Sequence, residues 1–104
     1  MNATIRRYES IDQSRKSELI KKLDENLLPT LSELPGFNGY SLIDAGDGVM
    51  TSVGFFDTSA QADESTKIVS NWVRDQKLEQ VLPSPPRITT GQIVAHKTPE
   101  LVQA

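Results

Sequence analysis

The chain has 104 residues, of which 37% are hydrophobic and 24% charged, and its formal net charge is −3 at pH 7. This composition is typical of a globular protein with its own core, and we expect one domain over residues 1–104. The acidic balance argues against nucleic acid as a partner. The chain has no cysteine, which excludes disulfides and thiolate chemistry. Because no apolar stretch is long enough for a leader or a membrane span, we expect a cytoplasmic protein.

The first third of the chain predicts a strand followed by a long helix. Residues 3–9 alternate in the period of two that is typical of a strand. Residues 13–34 place their leucines on one stripe and their charges opposite, which predicts an amphipathic helix. Its N-cap is Asp12 or Ser14, and Pro35-Gly36 ends it.

Pro29 interrupts the pattern of this first helix. A proline inside a helix deletes one backbone hydrogen bond and clashes with the preceding turn, at a cost of about 3 kcal/mol. We therefore expect the helix to kink or break near Leu28.

Residues 36–57 predict a β-hairpin around which the rest of the chain is organised. Asp47-Gly48 lies between two apolar, β-branched runs, and such a turn needs positive φ at both central positions. Asn38-Gly39 follows the first helix too closely to be a turn between strands, so we expect a bulge there.

After the hairpin the sequence predicts a second helix and a last strand. Thr58 and Gln61 have the spacing of a capping box, and the helix is expected to run to about Val81, before a cluster of prolines. Residues 87–97 are rich in β-branched residues and predict the closing strand, whereas residues 98–104 are expected to form a loose tail.

The resulting order is β-α-β-β-α-β, which predicts an α+β, ferredoxin-like fold with a four-stranded antiparallel sheet and two helices on one face. Both faces of the hairpin carry large apolar residues. We expect Tyr40, Leu42, Val49, Val53 and Phe55 on one face, and Phe37, Ile43, Met50 and Phe56 on the other. Two helices cover one face only, so a second copy of the chain is expected to cover the other, giving a homodimeric α+β barrel. Scattered surface hydrophobic residues are the alternative.

Four segments resemble the antibiotic biosynthesis monooxygenase-like family of dimeric α+β barrel proteins. They are LPGF at 34–37, DAGDG at 44–48, FFDTSAQADES at 55–65 and NWVRD at 71–75. The resemblance spans residues 5–96. It implies a homodimer with a ligand cavity in each subunit and, in active members, oxygenation of a phenol or quinol without metal, flavin or haem.

The resemblance and the residue types themselves together give a set of candidate site residues. Trp72, Asn71 and Tyr40 are the candidate catalytic residues. Ligand-binding candidates are Phe37, Phe56, Tyr8, Arg6 and His96. A core role for Trp72 and a surface role for His96 stay open, and no metal or other cofactor is expected. The haem-degrading branch of the family is disfavoured, since the second helix has no histidine.

Two functions remain open from the sequence. One is a homodimeric barrel that binds a small aromatic or quinone-like molecule and oxygenates it without a cofactor. The other is a non-catalytic ligand-binding or stress-associated module with the same fold. Neither uses nucleic acid or a membrane as a partner.

Overall fold

A computed structural model of the chain describes residues 1–97, and the predicted tail at 98–104 lies outside the described residues. The strands are β1 (Asn2–Tyr8), β2 (Phe37–Gly46), β3 (Val49–Phe56) and β4 (Arg87–Gln92). The α-helices are α1 (Lys16–Lys22), α2 (Leu28–Ser32) and α3 (Ser59–Asp75). All strands pair antiparallel in the order β2-β3-β1-β4. This confirms the predicted ferredoxin-like fold, in which α1 and α2 form the first long helix.

The first long helix accommodates Pro29 by widening. A 3-10 turn at Gln13–Arg15 precedes α1, and the Asp12 side chain caps it by accepting from the Ser14 backbone. A π turn at Leu23–Leu27 separates α1 from α2, and the Leu28 N–H donates to the Leu23 carbonyl. The wider turn relieves the contact that a proline ring makes with the preceding turn, since Pro29 follows it directly. The break expected near Leu28 is therefore a π turn within a continuous helix.

Two bulges in β2 set the register of the hairpin. Asp47 and Gly48 both have positive φ, as predicted for the turn. Asn38 forms the expected bulge, but a second bulge at Ala45 was not predicted. This extra residue shifts the pairing, so that Tyr40 lies opposite Gly54. The predicted face was therefore wrong for Tyr40, Leu42 and Ile43, because a one-residue slip moves each side chain to the opposite face, whereas Phe37 shares the face of Phe56 as predicted.

The helix α3 begins as predicted and ends earlier. The Thr58 hydroxyl accepts from the Gln61 backbone, and the Gln61 side chain accepts from the Thr58 backbone. The helix ends at Asp75, and not near Val81, because Lys77 takes a positive φ of 57°. The Leu78 N–H then donates to the Val73 carbonyl and the Lys77 N–H to the Arg74 carbonyl, which is a Schellman motif.

The sheet has an inner face that packs on the helices and an outer face that points away from them. The inner face carries Thr4, Arg6, Tyr8, Tyr40, Leu42, Met50, Ser52, Gly54, Phe56 and Ile88. The helices contribute the buried leucines Leu19, Leu23, Leu27 and Leu31, spaced as predicted. Ile5 and Ile43 lie on the outer face and are 38% and 48% exposed. Within residues 1–97, no helix is both long and apolar enough to cross a bilayer.

Candidate functional site

An open hollow of about 420 Å³ lies at the β4 side of the inner face. Its floor comes from β1 and β4, one wall from α3, and the other from residues 79–86. The helix α3 contacts both β1 and β4, and the hollow opens between this helix and the proline-rich return to the sheet. Ile88 is consequently 47% exposed, although it lies on the inner face. The volume is in the range of small-molecule sites.

Arg6 lines the floor of this hollow and is only 1% exposed. One of its terminal nitrogens donates to the hydroxyls of Ser65 and Thr66, both at 2.9 Å. Those hydroxyls in turn donate to the Ala62 carbonyl, which leaves their oxygens free to accept from the arginine. The Arg6 Nε is buried without a hydrogen-bond partner. Burial lowers the pKa of Arg6, and the neighbouring phenols of Tyr8 and Tyr40 oppose that effect.

Two tyrosines lie beside Arg6 on the inner face. Burial raises the pKa of Tyr8 to about 12, against a smaller lowering by the Arg6 charge. Burial also raises the pKa of Tyr40 above its ordinary value, and nearby Ser52 and Arg6 act in the opposite direction. Both phenols are therefore protonated near neutral pH and serve as hydrogen-bond donors. Neither is a general base at that pH.

A small void of about 20 Å³ lies next to the hollow, on its β2 side. Tyr8, Val69, Val73 and Leu82 line both spaces and form the wall between them. Trp72 and Tyr40 line the void on its far side. The Trp72 Nε1 is buried with no hydrogen-bond partner. The void therefore has room for about one water-sized group beside an unused indole donor.

Ser52 lies opposite Arg6 on the neighbouring strand β3. Its hydroxyl is buried and makes no hydrogen bond of standard geometry, even though it lies close enough to Tyr40 to affect that pKa. Buried polar groups are normally paired, and each exception points to strain or to a missing partner. Arg6, Ser52 and Trp72 are the residues with such atoms in the part of the chain that the structure describes.

The other predicted site residues lie elsewhere. Asn71 is exposed, and its side chain accepts from Arg74 on the surface of α3. Phe37 and Phe56 pack edge to face at the opposite end of the sheet, with ring centroids 5.9 Å apart. His96 is exposed and follows the end of β4, so the strand does not carry it as predicted. The structure thus brings Arg6, Tyr8, Tyr40 and Trp72 to one side of the sheet and leaves the others outside that group.

Sequence reasoning missed Ser52, Ser65 and Thr66. The two α3 hydroxyls lie among polar residues of an amphipathic helix, where serine and threonine are unremarkable in sequence. A buried arginine on β1 is a signal for them, because a guanidinium facing a helix requires acceptors from it. Within residues 1–97, no group of three histidine, aspartate or glutamate side chains is placed to hold a metal ion.

The chain is a small α+β protein with a ferredoxin-like fold and an open hollow between sheet and helices. No protein-family model and no curated protein matches the sequence. Among solved structures, the chain is similar to a protein of unknown function from Nitrosomonas europaea, with a TM-score of 0.73, 20% identity, and coverage of 95% of this chain and 94% of that one.

Two further structures bear on the class. A monooxygenase from Streptomyces coelicolor, solved with the ligand nanaomycin D, matches with a TM-score of 0.72 and 13% identity over 95% of this chain and 92% of that one. A dimeric ferredoxin-like protein from an uncultured marine organism matches with a TM-score of 0.71 and 14% identity over the same shares. The chain therefore has the fold of the antibiotic biosynthesis monooxygenase-like proteins, as the sequence resemblance indicated.

Proposed function

We propose that this protein is a homodimeric α+β barrel that binds a small aromatic or quinone-like molecule in the hollow beside Arg6 and Tyr8. One observation carries the proposal: the buried Arg6 lines a ligand-sized hollow, and its Nε has no hydrogen-bond partner. A ligand carrying oxygen atoms on an apolar ring system supplies acceptors to such donors. The hollow's apolar walls favour the ring system itself.

Oxygenation without a cofactor is the reaction that this site suits best. In that reaction the substrate anion gives one electron to O₂, and the two radicals join in a carbon–peroxide bond. A proton then adds to the peroxide, and the remaining proton of the carbon leaves with hydroxide as water while the carbonyl forms. Fixed donors that face the anion stabilise its charge. Arg6 and Tyr8 are the donors that line the hollow, and Tyr40 and Trp72 line the neighbouring void.

The homodimer is supported by the outer face of the sheet. Its apolar side chains are Ala3, Ile5, Ile43, Val49, Val53 and Phe55. None of these is fully buried in the single chain, and covering a large apolar side chain gains about 1.5–3 kcal/mol. A ferredoxin-like protein with the same fold is described as dimeric. A second copy, docked face to face, buries this surface.

Oxygen uptake with a panel of quinols and acidic phenols tests the proposed reaction. We expect uptake by the wild type and at least about a tenfold lower rate for Arg6→Met and Tyr8→Phe, since each removes one donor that lines the hollow. Leu78→Val is the control, because Leu78 is fully buried but lines neither the hollow nor the void. Equal rates in all three variants would contradict the proposed site.

A non-catalytic binding module is the second candidate. It is favoured by the scarcity of bases, because Glu79 is the one carboxylate that lines the hollow among the described residues, and it is exposed. Menadione is a quinone and not a quinol, so it reports binding without oxygenation. Saturable binding of menadione, together with no oxygen uptake when any quinol is added, would favour this candidate over the oxygenase.

A further inference from the structure

We propose that Arg6 makes this site selective for aromatic ligands that carry a negative charge at neutral pH, as an ionised enol, acidic phenol or carboxylate. The inference rests on the proposed function, since it assumes an aromatic ligand in the hollow. The inference specifies the charge of the ligand and the residue that recognises this charge.

The first step is that the charge of Arg6 has no counter-charge. None of the ion pairs formed by residues 1–97 involves Arg6. Its hydrogen-bond partners, Ser65 and Thr66, are neutral hydroxyls. The ionisable groups that affect its pKa are the phenols of Tyr8 and Tyr40, which are themselves protonated near neutral pH. A buried charge is ordinarily paired, so this guanidinium is prepared for an anion.

The second step concerns orientation. Ser65 and Thr66 hold one terminal nitrogen of Arg6 from α3 and fix the plane of the guanidinium. The side chain still contributes to the floor of the hollow, and its Nε remains unused. Because both hydrogens of that nitrogen are donated to the two hydroxyls, the other terminal nitrogen is the one that can donate a charged hydrogen bond to a carboxylate or an ionised enol in the hollow.

The third step links the charge to the chemistry. A site without a buried base cannot readily remove a proton from a weakly acidic substrate. A ligand that is already ionised needs no such base, and Arg6 stabilises its anion on binding. The scarcity of carboxylates around the hollow and the uncompensated arginine therefore point to the same class of ligand.

Fluorescence titration of Trp72, the single tryptophan, tests the proposal with three probes. Lawsone is a hydroxynaphthoquinone that is ionised at neutral pH, its methyl ether is neutral, and menadione is a neutral naphthoquinone. We expect Arg6→Met to weaken lawsone binding by roughly ten- to a hundredfold, the usual effect of one charged hydrogen bond. Binding of the two neutral probes should change by less than about threefold, an effect small beside the loss of that bond.

Arg15→Met is the matched control. It removes the same charge from the first helix, outside the hollow, where Arg15 pairs with Glu18. Lawsone binding should be unchanged in this variant. An equal loss for charged and neutral probes in Arg6→Met would overturn the proposal, and so would lawsone binding that Arg6→Met leaves intact.

A stability measurement separates this inference from the proposed function. If the wild type binds none of the probes, the proposed binding of aromatic molecules is wrong. The role of Arg6 as an anion-binding residue is then tested by urea unfolding of the ligand-free protein. If Arg6 serves to bind an anion, it is a buried unpaired charge in the ligand-free protein, and replacing it should not destabilise the fold. The unfolding midpoint of Arg6→Met should then equal or exceed that of the wild type. A markedly lower midpoint would assign Arg6 to the architecture and overturn the proposal.

Discussion

At the scale of single residues, Gly36 joins the first helix to the sheet and also touches the start of α3. Its φ is +79°, and the space where a Cβ would stand is filled by the Gln61 side chain that completes the capping box. A side chain at Gly36 therefore meets a strained backbone and displaces the flexible end of Gln61, which costs the hydrogen bond from the Thr58 backbone. Gly46 has a similar φ of +83° with nothing within 4 Å of the added Cβ.

We predict that Gly36→Ala lowers the free energy of unfolding by about 2–4 kcal/mol, whereas Gly46→Ala lowers it by about 1–2 kcal/mol. Urea denaturation of both variants provides the comparison. The difference between them measures the contact with Gln61, and equal losses would mean that this contact has no energetic effect.

Tyr8 gives a prediction for alkaline pH. Its pKa rises from 10.0 in the unfolded chain to about 12 in the folded protein, mainly through burial. The folded state holds this proton more tightly, so the stabilisation is complete below pH 10 and is lost as the pH rises to 12. The loss amounts to at most about 2–3 kcal/mol.

The free energy of unfolding should therefore fall over this pH range in the wild type and fall less steeply in Tyr8→Phe. Tyr40→Phe provides a comparison, since burial raises that pKa as well. Identical slopes for wild type and Tyr8→Phe would show that Tyr8 titrates normally.

The sequence identified some of the site at this scale and missed the rest for a physical reason. Arg6 and Tyr8 alternate on β1 with the exposed Arg7, so their face could be inferred once the strand was recognised. Pairing Arg6 with Ser65 and Thr66 requires the position of α3 over the sheet, across 59 and 60 residues of chain. Adjacent Asn71 and Trp72 point in different directions from one helix, and only the packing decides which of them faces the sheet.

At the scale of secondary-structure elements, the capping box at Thr58 fixes where α3 begins. The Thr58 hydroxyl and the Gln61 side chain satisfy one backbone N–H each. Since α3 carries Ser65 and Thr66, its start also determines how they meet Arg6.

Thr58→Ala should therefore lower the free energy of unfolding by about 0.5–2 kcal/mol. Ser59→Ala, at the next position and exposed, should change it by less than about 0.5 kcal/mol. Thermal or urea unfolding measures both. A loss of similar size in the two variants would contradict the role of the cap.

Element boundaries were predicted well where a local motif sets them and poorly where packing sets them. The caps at Asp12 and Thr58 and the turn at Asp47 depend on neighbouring residues alone. The end of α3 depends instead on a left-handed Lys77, which delivers Leu78 into the core, where it is fully buried. Nothing in the local sequence distinguishes Lys77 from a residue that continues the helix. No local sequence signal predicts the bulge at Ala45 either.

At the scale of the whole molecule, the outer face of the sheet is the surface on which the proposed dimer depends. Ile43 lies on this face, on the edge strand β2, and is 48% exposed, while Ile20 is 41% exposed on the first helix, away from that face. We predict that the wild type scatters light as two chains and that Ile43→Glu scatters as one, because a buried unpaired carboxylate opposes association.

Ile20→Glu should leave the mass at two chains. Ile20 is a suitable control for Ile43 because the two side chains are similarly exposed and differ mainly in the surface on which they lie. Dimers that persist in Ile43→Glu, or a wild type that is monomeric at micromolar concentration, would rule out the face-to-face assembly.

The most direct test of the account is a crystal structure of the protein with lawsone. We predict one ligand in each subunit, in the hollow between α3, residues 79–86 and the inner face, with its ionised oxygen on the Arg6 guanidinium. Ligand bound on the outer face, or in the hollow with its charged oxygen turned away from Arg6, would contradict it.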